Sequence, residues 1–361
     1  MRRKAPQIGA AISPARIDEL FAPFANAHSL LLAVSGGPDS TALLMMAALW
    51  AKGARRPRVE VATVDHAMRA GSREEAEAVG ALSRRLGLTH HLLQWRGPKP
   101  RSRIQERARE ARYQLLGACA REIRADFLVT AHHADDQAET VLFRLIRGSG
   151  IGGLRGMESV AAKGRLTLAR PLLGLRKAEL VAFCQAGGEE YARDPSNADP
   201  RFARTHLRQL ADLLAAEGLG VDEIARLSRR AARMEAAVAI QAQAAAERLG
   251  WTNAQPTRDA KALLDEPQEI VQRLLTAEIA RIAGKEPRQI RLDAIETLAQ
   301  ALRNARAENK ALRANVGGAS VHLSAKGALS VSPEAPRRAR AERKENLAGD
   351  ARTTGLAATN F

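Results

Sequence analysis

The sequence predicts an α/β protein whose first domain is a doubly wound, mostly parallel sheet and whose second domain is mainly helical and ends in a small β hairpin. Three observations lead to this prediction. Short apolar runs alternate with helical segments through the first half of the chain. Polar clusters directly follow three of these runs, where the carboxyl ends of parallel strands would meet. Beyond about residue 218 the composition shifts to Ala, Arg, Glu and Gln with helical periodicity.

Four apolar runs predict the strands of the first domain, because each is short, rich in Leu, Val or Ile and followed by a helical pattern. The predicted strands cover residues 30–34, 59–64, 89–95 and 126–130, and the predicted helices cover 17–24, 41–52, 72–86, 102–123, a segment ending near 147, and 175–186. Ser72 and Glu75 have the spacing of a capping box and are expected to begin the third of these helices.

The second half of the chain is predicted to be helical over residues 222–249, 267–282 and 292–306. Two short β-like runs flank Lys326 and Gly327, a pair typical of a hairpin turn. Four regions are therefore expected, namely a flexible arm over 1–14, an α/β domain over 15–214, a helical domain with the hairpin over 215–333, and a disordered basic tail over 334–361.

The net charge limits the class of partner. The 361 residues contain 56 Lys and Arg against 40 Asp and Glu, which gives a formal charge of +16. Such an excess favours a polyanion, usually a nucleic acid, although arginine-rich codon usage produces the same balance. The two cysteines form no pair motif, and no apolar run reaches the roughly 18 residues of a membrane helix. These features predict a cytoplasmic protein with neither a disulfide framework nor a membrane partner.

The first polar cluster is the turn SGGPDS (residues 35–40), which joins a predicted strand to a predicted helix. Such a turn aims unpaired backbone N–H groups and the positive end of a helix dipole at one point, which favours an anion. The two glycines let the backbone approach phosphate oxygens, the two serines add hydroxyl donors, and Asp39 is a candidate Mg²⁺ ligand. The alternative is a plain Ser/Gly-rich turn, but the whole hexapeptide in this context is more specific than two glycines alone.

The second and third polar clusters are residues 65–66 (DH) and residues 131–140 (AHHADDQAET), which follow the second and fourth predicted strands. Asp136 and Glu139 lie three residues apart, so both can face the same side of a first helical turn. Carboxylates beside a polyphosphate suit Mg²⁺, whereas the chain lacks the cysteines or second histidine group expected of zinc. A simpler interpretation makes Asp135 the cap of the following helix.

A glycine-rich segment over residues 148–156 (GSGIGGLRG) follows this cluster. It contains a GxGxxG-like string, but no strand precedes it, so a dinucleotide-binding turn is not predicted. Its glycine content instead predicts a mobile loop that lacks regular structure and lies over the site.

The SGGPDS turn lacks the lysine of a Walker motif and resembles the SGGxDS signature of the PP-loop ATP pyrophosphatases, which split ATP between its α and β phosphates. Further motifs narrow the resemblance. VDHAMR (64–69), AREARYQLL (108–116), the segment 131–157, RPLL (170–173) and DPSN (194–197) follow one another in the order found in tRNA(Ile)-lysidine synthases. The similarity covers roughly residues 30–210, and Arg204 is followed by Thr205 where that family usually has Asn.

The resemblance implies a PP-loop ATP-binding catalytic domain and a tRNA-binding domain, with ATP and Mg²⁺ as cofactors. ATP would adenylate the wobble cytidine of the CAU anticodon of tRNA(Ile), and pyrophosphate would leave. The ε-amine of free L-lysine would then displace AMP and leave lysidine. Adenylation makes the poor leaving oxygen of cytosine a good one, and departure of pyrophosphate requires charge neutralisation by backbone N–H groups and Mg²⁺.

The resemblance also implies roles for individual residues. Asp39 and Asp136 would hold Mg²⁺ with support from Glu139, and the second histidine of the third cluster would contact the phosphates or the developing charge. The two arginines of the AREARYQLL motif would face the site from one helix, although a solvated basic face has the same spacing. The expected catalytic residues are Asp39, His133, Asp136 and Glu139, the expected nucleotide-binding residues are Ser35, Gly36, Gly37, Pro38, Asp39, Ser40, Asp65 and His66, and the expected substrate-binding residues are Arg109, Arg112, Arg204 and Arg208.

Three alternatives stay open on the sequence. A thiolating PP-loop enzyme of tRNA would need reactive cysteines, and this chain has only two, isolated from each other. An amide-forming PP-loop ligase would need an ammonia source, for which no glutaminase-like segment is visible. A non-catalytic tRNA-binding protein would keep the turn as a relict. The sequence also leaves open which carboxylate deprotonates the attacking lysine and whether the protein is a monomer or a homodimer.

Overall fold

The structure is a computed structural model that describes residues 12–54, 56–67, 71–97, 104–164, 166–192, 203–251 and 257–334. The side chains of residues 105, 163, 203–206 and 208 are outside this description as well. The predicted arm and basic tail lie outside the described residues except at their inner ends, and the DPSN motif lies wholly outside them. Within the described ranges, no helix is long and apolar enough to cross a membrane.

A six-stranded sheet organises the first half of the chain. Its strands are β1 (Ser29–Ala33), β2 (Arg58–Asp65), β3 (Thr89–Gln94), β4 (Phe127–Thr130), β5 (Val160–Lys163) and β6 (Leu166–Ala169). The spatial order is β3-β2-β1-β4-β6-β5, and every neighbouring pair is parallel except the antiparallel β5–β6 hairpin. The predicted doubly wound, mostly parallel sheet is therefore confirmed, and the hairpin extends it beyond the four predicted strands.

Helices cover both faces of this sheet because its central strand is apolar on both sides. The helices of this part are α1 (Pro14–Phe21), α2 (Pro38–Ala51), α3 (Ser72–Arg85), α4 (Ile104–Glu122), α5 (Ala134–Ile146), α6 (Ile151–Leu154), α7 (Lys177–Ala186) and α8 (Ala203–Ala216). Leu30 and Leu32 of β1 pack into a core with α1, α2 and α7, whereas Leu31 and Ala33 pack on the other face against α4. The two-residue period of a strand thus divides one apolar run between two cores.

The start of α3 differs from the predicted capping box. The N-cap is Gly71 with φ of 85°, and no side chain caps the helix. Ser72 is already inside the helix, and its hydroxyl donates to Asp65 Oδ1 at 2.7 Å. The predicted box between Ser72 and Glu75 is wrong because the carboxylate at the end of β2 takes the serine hydroxyl instead.

The glycine-rich segment over 148–156 also differs from its prediction, because part of it has regular structure. Residues Ile151–Leu154 form the single turn α6. The guanidinium of Arg144 donates to the carbonyl oxygens of Gly153 and Gly156 at 2.9 and 2.8 Å. These bonds satisfy carbonyl groups that a loop without helical structure would leave to water.

The chain divides into two compact units, Met1–Arg233 and Met234–Phe361, and the division falls inside the long helix α9 (Val221–Arg248). The predicted domain boundary at 214/215 lies before this helix. The second unit contains the helices α10 (Ala260–Leu264), α11 (Gln268–Ile282) and α12 (Leu292–Ala307) and the strands β7 (Arg258–Asp259), β8 (Leu312–Val316), β9 (Ala319–Leu323) and β10 (Ala328–Pro333). The strands form an antiparallel sheet in the order β7-β10-β9-β8. The predicted hairpin is confirmed as β9–β10.

An ion pair lies inside the second unit. Arg258 Nη1 lies 2.8 Å from Glu278 Oε1, and the two side chains are only 5% and 4% exposed. The guanidinium carbon of Arg258 lies 4.5 Å from the centroid of the Trp251 ring. Arg281 contacts the same carboxylate, so both oxygens of Glu278 accept hydrogen bonds. This arrangement compensates the buried charges.

Candidate active site

The carboxyl ends of β1 and its neighbours β2 and β4 converge on one cavity of about 980 Å³. Chain order reverses at β1, and in such sheets ligands bind at the carboxyl edge beside the reversal. Most of the predicted site residues line the cavity, namely Ser35, Gly37, Pro38, Asp39, Ser40, His66, Arg109, Arg112, His133, Asp136 and Glu139. Arg204 and Arg208 lie in α8, but their side chains are outside the described part of the chain.

The SGGPDS turn presents backbone donors at the wall of the cavity. Gly36 has φ of 87°, a left-handed conformation that costs glycine little. Helix α2 begins at Pro38, with Gly37 as an N-cap that offers no side chain. The first intrahelical hydrogen bond runs from Thr41 N to Gly37 O at 2.9 Å. The N–H groups of the two preceding residues therefore have no intrahelical acceptor and suit an anion.

The serines of the turn brace its shape. Ser40 Oγ accepts the backbone N–H of Ser35 at 3.2 Å and donates to the carbonyl oxygen of Gly37 at 3.0 Å. The hydroxyl hydrogen of Ser40 is therefore engaged within the turn. The position was predicted as a hydroxyl donor for phosphate, and in this structure it holds the backbone donors in place.

His133 lies between the aspartate of the turn and the aspartates of α5. Its Nε2 lies 3.5 Å from Asp39 Oδ2 and 3.4 Å from Asp136 Oδ2, and its Nδ1 lies 3.5 Å from Asp135 Oδ2. The side chain of His133 is only 5% exposed. Asp39 and Asp136, which follow different strands, thus share one imidazole nitrogen.

His133, and not Asp135 two residues later, occupies the N-cap position of helix α5. His133 is the N-cap, and Asp136 Oδ2 accepts the backbone N–H of His133 at 3.1 Å. Asp135 Oδ2 instead accepts the backbone N–H of Lys177 at 2.8 Å and so caps α7. The simpler interpretation of Asp135 as the cap of its own helix is therefore wrong, because it joins two helices across the site.

Opposite charges set the protonation of this cluster. Burial by itself would lower the pKa of His133, but its contacts with Asp135 and Asp39 and the charge of Asp136 raise that pKa to about 9. Burial likewise acts to raise the pKa of Asp135, but His133, a backbone N–H and the charge of Arg176 lower it to about 2. Burial raises the pKa of Asp136. At neutral pH and without a bound metal ion, His133 is a cation among carboxylates.

Asp39 has a buried carboxylate oxygen that could bind a divalent cation. Its Oδ1 is buried and has no hydrogen-bond partner among the described residues, which is unusual for a carboxylate oxygen. In the described ranges, no three His, Cys, Asp or Glu side chains form a complete metal cluster. Mg²⁺ usually takes one or two carboxylates and fills its other positions with waters and substrate phosphates. Asp39 and Asp136 fit an ion bound in this way together with a nucleotide.

Asp65 holds the end of β2 in shape and does not itself line the cavity. Its Oδ1 accepts the backbone N–H of Ala67 at 2.8 Å and the hydroxyl of Ser72. Burial acts to raise the pKa of Asp65, but these hydrogen bonds and the charge of Arg73 lower it, so the group is a carboxylate. The next residue, His66, lines both the main cavity and a second cavity of about 420 Å³. Apolar side chains from the end of β1, from β2 and from the helices α3 and α4 form much of the wall of this second cavity.

The arginines of α4 give another part of the cavity a positive charge. Arg109 and Arg112 both line it, and burial lowers the pKa of Arg112. His132 lines it too, and burial together with the charges of Arg170 and Arg109 lowers the pKa of His132 to about 3. Thr130 Oγ1 is hydrogen-bonded to His132 Nδ1 at 2.8 Å and fixes the ring. The adjacent histidines therefore differ in charge at neutral pH, because one faces arginines and the other faces carboxylates.

Some of the side chains around the cavity were not predicted from the sequence. Asp212 of α8 and Asp222 and Glu223 at the start of α9 also line it. Acidic residues are common in the first turn of any helix, so no signal distinguished the last two. Arg176 was missed as well, and it contacts Asp135 at 3.6 Å and Asp222 at 3.3 Å. Its position shortly after the RPLL motif is the signal that could have found it.

Comparison with known proteins identifies the family. The model of the PP-loop domain matches residues 10–214. A tRNA(Ile)-lysidine synthase from Methylobacterium nodulans is 50% identical over 90% of this chain and 95% of its own length. Another from a Bradyrhizobium species is 45% identical over 92% and 97%, and one from Rhodopseudomonas palustris is 42% identical over 91% and 97%. The chain belongs to the tRNA(Ile)-lysidine synthase family.

Membership of the tRNA(Ile)-lysidine synthase family confirms the resemblance carried by the motifs. The fold is also similar to that of the U34-tRNA thiolase NcsA from Methanococcus maripaludis with its [4Fe-4S] cluster, with a TM-score of 0.52 and 16% identity over 60% of this chain and 77% of that one. This likeness concerns the fold alone. The chain's own cysteines, Cys119 and Cys184, are buried, and burial raises the pKa of each thiol to about 11. Thiols of this kind are poor nucleophiles, which disfavours a thiolation reaction.

Proposed function

We propose that this protein uses ATP to join free L-lysine to the wobble cytidine in the CAU anticodon of tRNA(Ile), with release of AMP and pyrophosphate. One observation carries the proposal. The SGGPDS turn, Asp39 and Asp136 meet at one cavity in a chain that belongs to the lysidine synthase family. The net charge of +16 agrees with a nucleic-acid substrate.

The two neighbouring cavities suit the two halves of ATP. Ser35, His66 and Arg112 line both of them, so they adjoin. The apolar walls of the smaller cavity suit a nucleobase. The unpaired N–H groups at the start of α2 suit the polyphosphate. A nucleotide in this arrangement has its α-phosphate near Arg112, where a cytosine oxygen from the larger cavity can reach it.

The first step is attack of the cytosine carbonyl oxygen on the α-phosphorus, with departure of pyrophosphate. The departing group carries negative charge, which the backbone donors of the turn stabilise. Asp39 and Asp136 are the residues that would hold Mg²⁺, and a bound Mg²⁺ neutralises phosphate charge and orients the phosphates for in-line displacement. Arg109 and Arg112 add positive charge from α4.

The second step is attack of the ε-amine of lysine on the activated ring carbon, with departure of AMP. The amine must first lose a proton, since an ammonium group is not a nucleophile. Glu139 and Asp135 line the cavity and are not assigned to Mg²⁺, but Asp135 is held by His133 and by the backbone N–H of Lys177. We therefore assign Glu139 as the acceptor of this proton. His132 is neutral at working pH and adds no competing positive charge near the incoming ammonium group.

The Asp39→Asn variant tests this assignment. The amide keeps the shape of the side chain but removes the charge that would bind Mg²⁺. We expect sustained pyrophosphate release from the unchanged protein only when ATP, tRNA and lysine are all present. The variant should lose at least about 100-fold in rate while it still binds tRNA.

The matched control is Asp18→Asn, which alters an exposed aspartate of α1 and should leave the rate unchanged. Mass analysis of the anticodon nucleosides identifies the product. Absence of lysidine from the products of the unchanged protein would contradict the function, whereas full activity of Asp39→Asn would contradict only the Mg²⁺ assignment.

A further inference from the structure

Four arginines form a stripe along the first half of α9. They are Arg226, Arg229, Arg230 and Arg233, at the spacing i, i+3, i+4 and i+7 that places residues on one face of a helix. All four are exposed. We call this surface the arginine stripe.

The arginine stripe lies on the face of α9 that points away from the protein core. Ile224, Ser228 and Ala231 are the buried residues of the same part of the helix. Ser228 Oγ donates to the carbonyl oxygen of Arg155 at 2.8 Å and fixes how the helix is rotated. With 100° of rotation per residue, the arginines centre on the side opposite these three residues. The guanidinium groups therefore face solvent because of the way the helix is rotated.

Three of the four charges of the stripe are not balanced by acidic neighbours. Arg226 contacts Glu223 at 2.7 Å, but the other three arginines form no ion pair within the described residues. No acidic residue occurs between Glu223 and Glu235, so the helical neighbours of these arginines are other arginines or apolar residues. Like charges at these spacings destabilise a helix.

Two other helical arginines of this chain show the paired arrangement. Arg73 pairs with Glu77, and Arg273 pairs with Glu269, each at the i,i+4 spacing that stabilises a helix. A face that serves only solubility is normally built in that way. The uncompensated stripe is typical of a surface that binds a polyanion.

The position of the stripe relates it to the active site. The first residues of α9, including Glu223 and Ile224, line the catalytic cavity. At 1.5 Å per residue, the stripe begins within one turn of the cavity and extends for about 10 Å along the helix. A nucleic acid whose target base enters the cavity therefore has its neighbouring backbone phosphates within reach of the stripe.

We propose that the arginine stripe binds the backbone phosphates of the anticodon arm on the side of the wobble nucleotide, and so positions the base over the cavity. This proposal rests on the proposed function for the identity of the RNA. Phosphate contacts fix register and orientation but carry no sequence information. The stripe therefore contributes affinity and placement, while recognition of the anticodon bases lies elsewhere.

The test compares two double variants that remove the same charge. Arg229→Gln/Arg230→Gln alters the stripe, and Arg84→Gln/Arg121→Gln alters exposed arginines near the carboxyl ends of α3 and α4, which lead into the opposite edge of the sheet. Binding of a synthetic anticodon stem-loop RNA is measured by fluorescence anisotropy over a series of salt concentrations. Pyrophosphate release and thermal unfolding are measured on the same proteins.

We expect the stripe variant to bind the RNA about tenfold more weakly and to reduce the slope of log affinity against log salt by between about 1 and 2, because two phosphate contacts are lost. The control should change neither quantity by a comparable amount. At RNA concentrations below saturation the stripe variant should release pyrophosphate more slowly than the control, because less RNA is bound. Its unfolding temperature should be unchanged or higher, since repulsion between like charges is removed.

Equal RNA affinity and salt slope in the stripe variant, the control and the unchanged protein would overturn the proposal, as would failure of the unchanged protein to bind the stem-loop. If the unchanged protein makes lysidine but the stripe variant binds normally, the proposed function stands and the stripe proposal is wrong. If no lysidine forms but the stripe variant alone loses RNA affinity, the proposal that the stripe binds RNA is supported and the proposed reaction is wrong.

Discussion

Replacement of His133 by Gln should change how the stability of the metal-free protein depends on pH. Contacts with three carboxylates overcome the effect of burial and raise the pKa of His133 from 6.5 to about 9. The protonated ring therefore stabilises the folded state fully below pH 6.5, and this contribution is lost as the pH rises through 9. At about 1.4 kcal/mol for each pH unit between the two values, the contribution is at most about 3 to 4 kcal/mol. The side chain is only 5% exposed, so solvent screens the interaction little.

The assay is urea unfolding in the presence of a chelator at about pH 6 and about pH 9.5, which bracket the two pKa values. The unchanged protein should lose about 3 kcal/mol more of its unfolding free energy over this range than His133→Gln does. His132→Gln is the matched control. The pKa of His132 is lowered to about 3, so the folded ring is neutral throughout the range, and only the unfolded ring, with a pKa near 6.5, binds a proton at the acidic end. Loss of His132 should therefore change the pH dependence by no more than about 1 kcal/mol, and in the direction opposite to loss of His133. An equal loss of stability in the unchanged protein and His133→Gln would refute the assignment of a buried imidazolium.

Two further predictions concern backbone strain and buried charge. Gly36→Ala should lower the unfolding free energy by about 1–3 kcal/mol because φ is 87° there, whereas Gly37→Ala, where an added Cβ meets nothing within 4 Å, should change it little. Thermal unfolding compares the two variants, and equal melting temperatures would contradict the reasoning. Arg258→Met should destabilise the second unit by about 3 kcal/mol, the lower end for a broken buried pair because Arg281 still contacts Glu278. The double change Arg258→Met/Glu278→Leu should restore much of this loss in urea unfolding, and a double variant as unstable as the single one would argue against an uncompensated charge.

The fold was largely predictable because its signals are local. A short apolar run predicts a strand without information from the rest of the chain. The strand predicted over residues 30–34 is β1, and its bounds differ by one residue at each end. The β5–β6 hairpin was missed because β5 has the sequence VAAK, in which only the valine favours a strand, so its pairing with β6 had no signal. The capping box at Ser72 was predicted from spacing alone, and a carboxylate from another element took the serine hydroxyl.

The residues of the site were predictable from the sequence, but their protonation states were not. The motifs identified Asp39, His133 and Asp136 as neighbours, because parallel strands that are adjacent in the sheet end at the same edge. Two adjacent histidines have the same pKa in an unfolded chain, and nothing in the sequence separates His132 from His133. Their charges differ because one packs near arginines from α4 and the other lies between carboxylates from α2 and α5.

The sequence by itself determined the strand–helix alternation, the SGGPDS turn and hence the family, because periodicity and short motifs are properties of neighbouring residues. Only the tertiary structure decided which side chains meet across the site, which aspartate caps which helix, and that three arginines of the stripe on α9 face solvent without acidic partners among the described residues. The physical reason is that hydrogen bonding, burial and charge act through space, between residues that the chain itself keeps far apart.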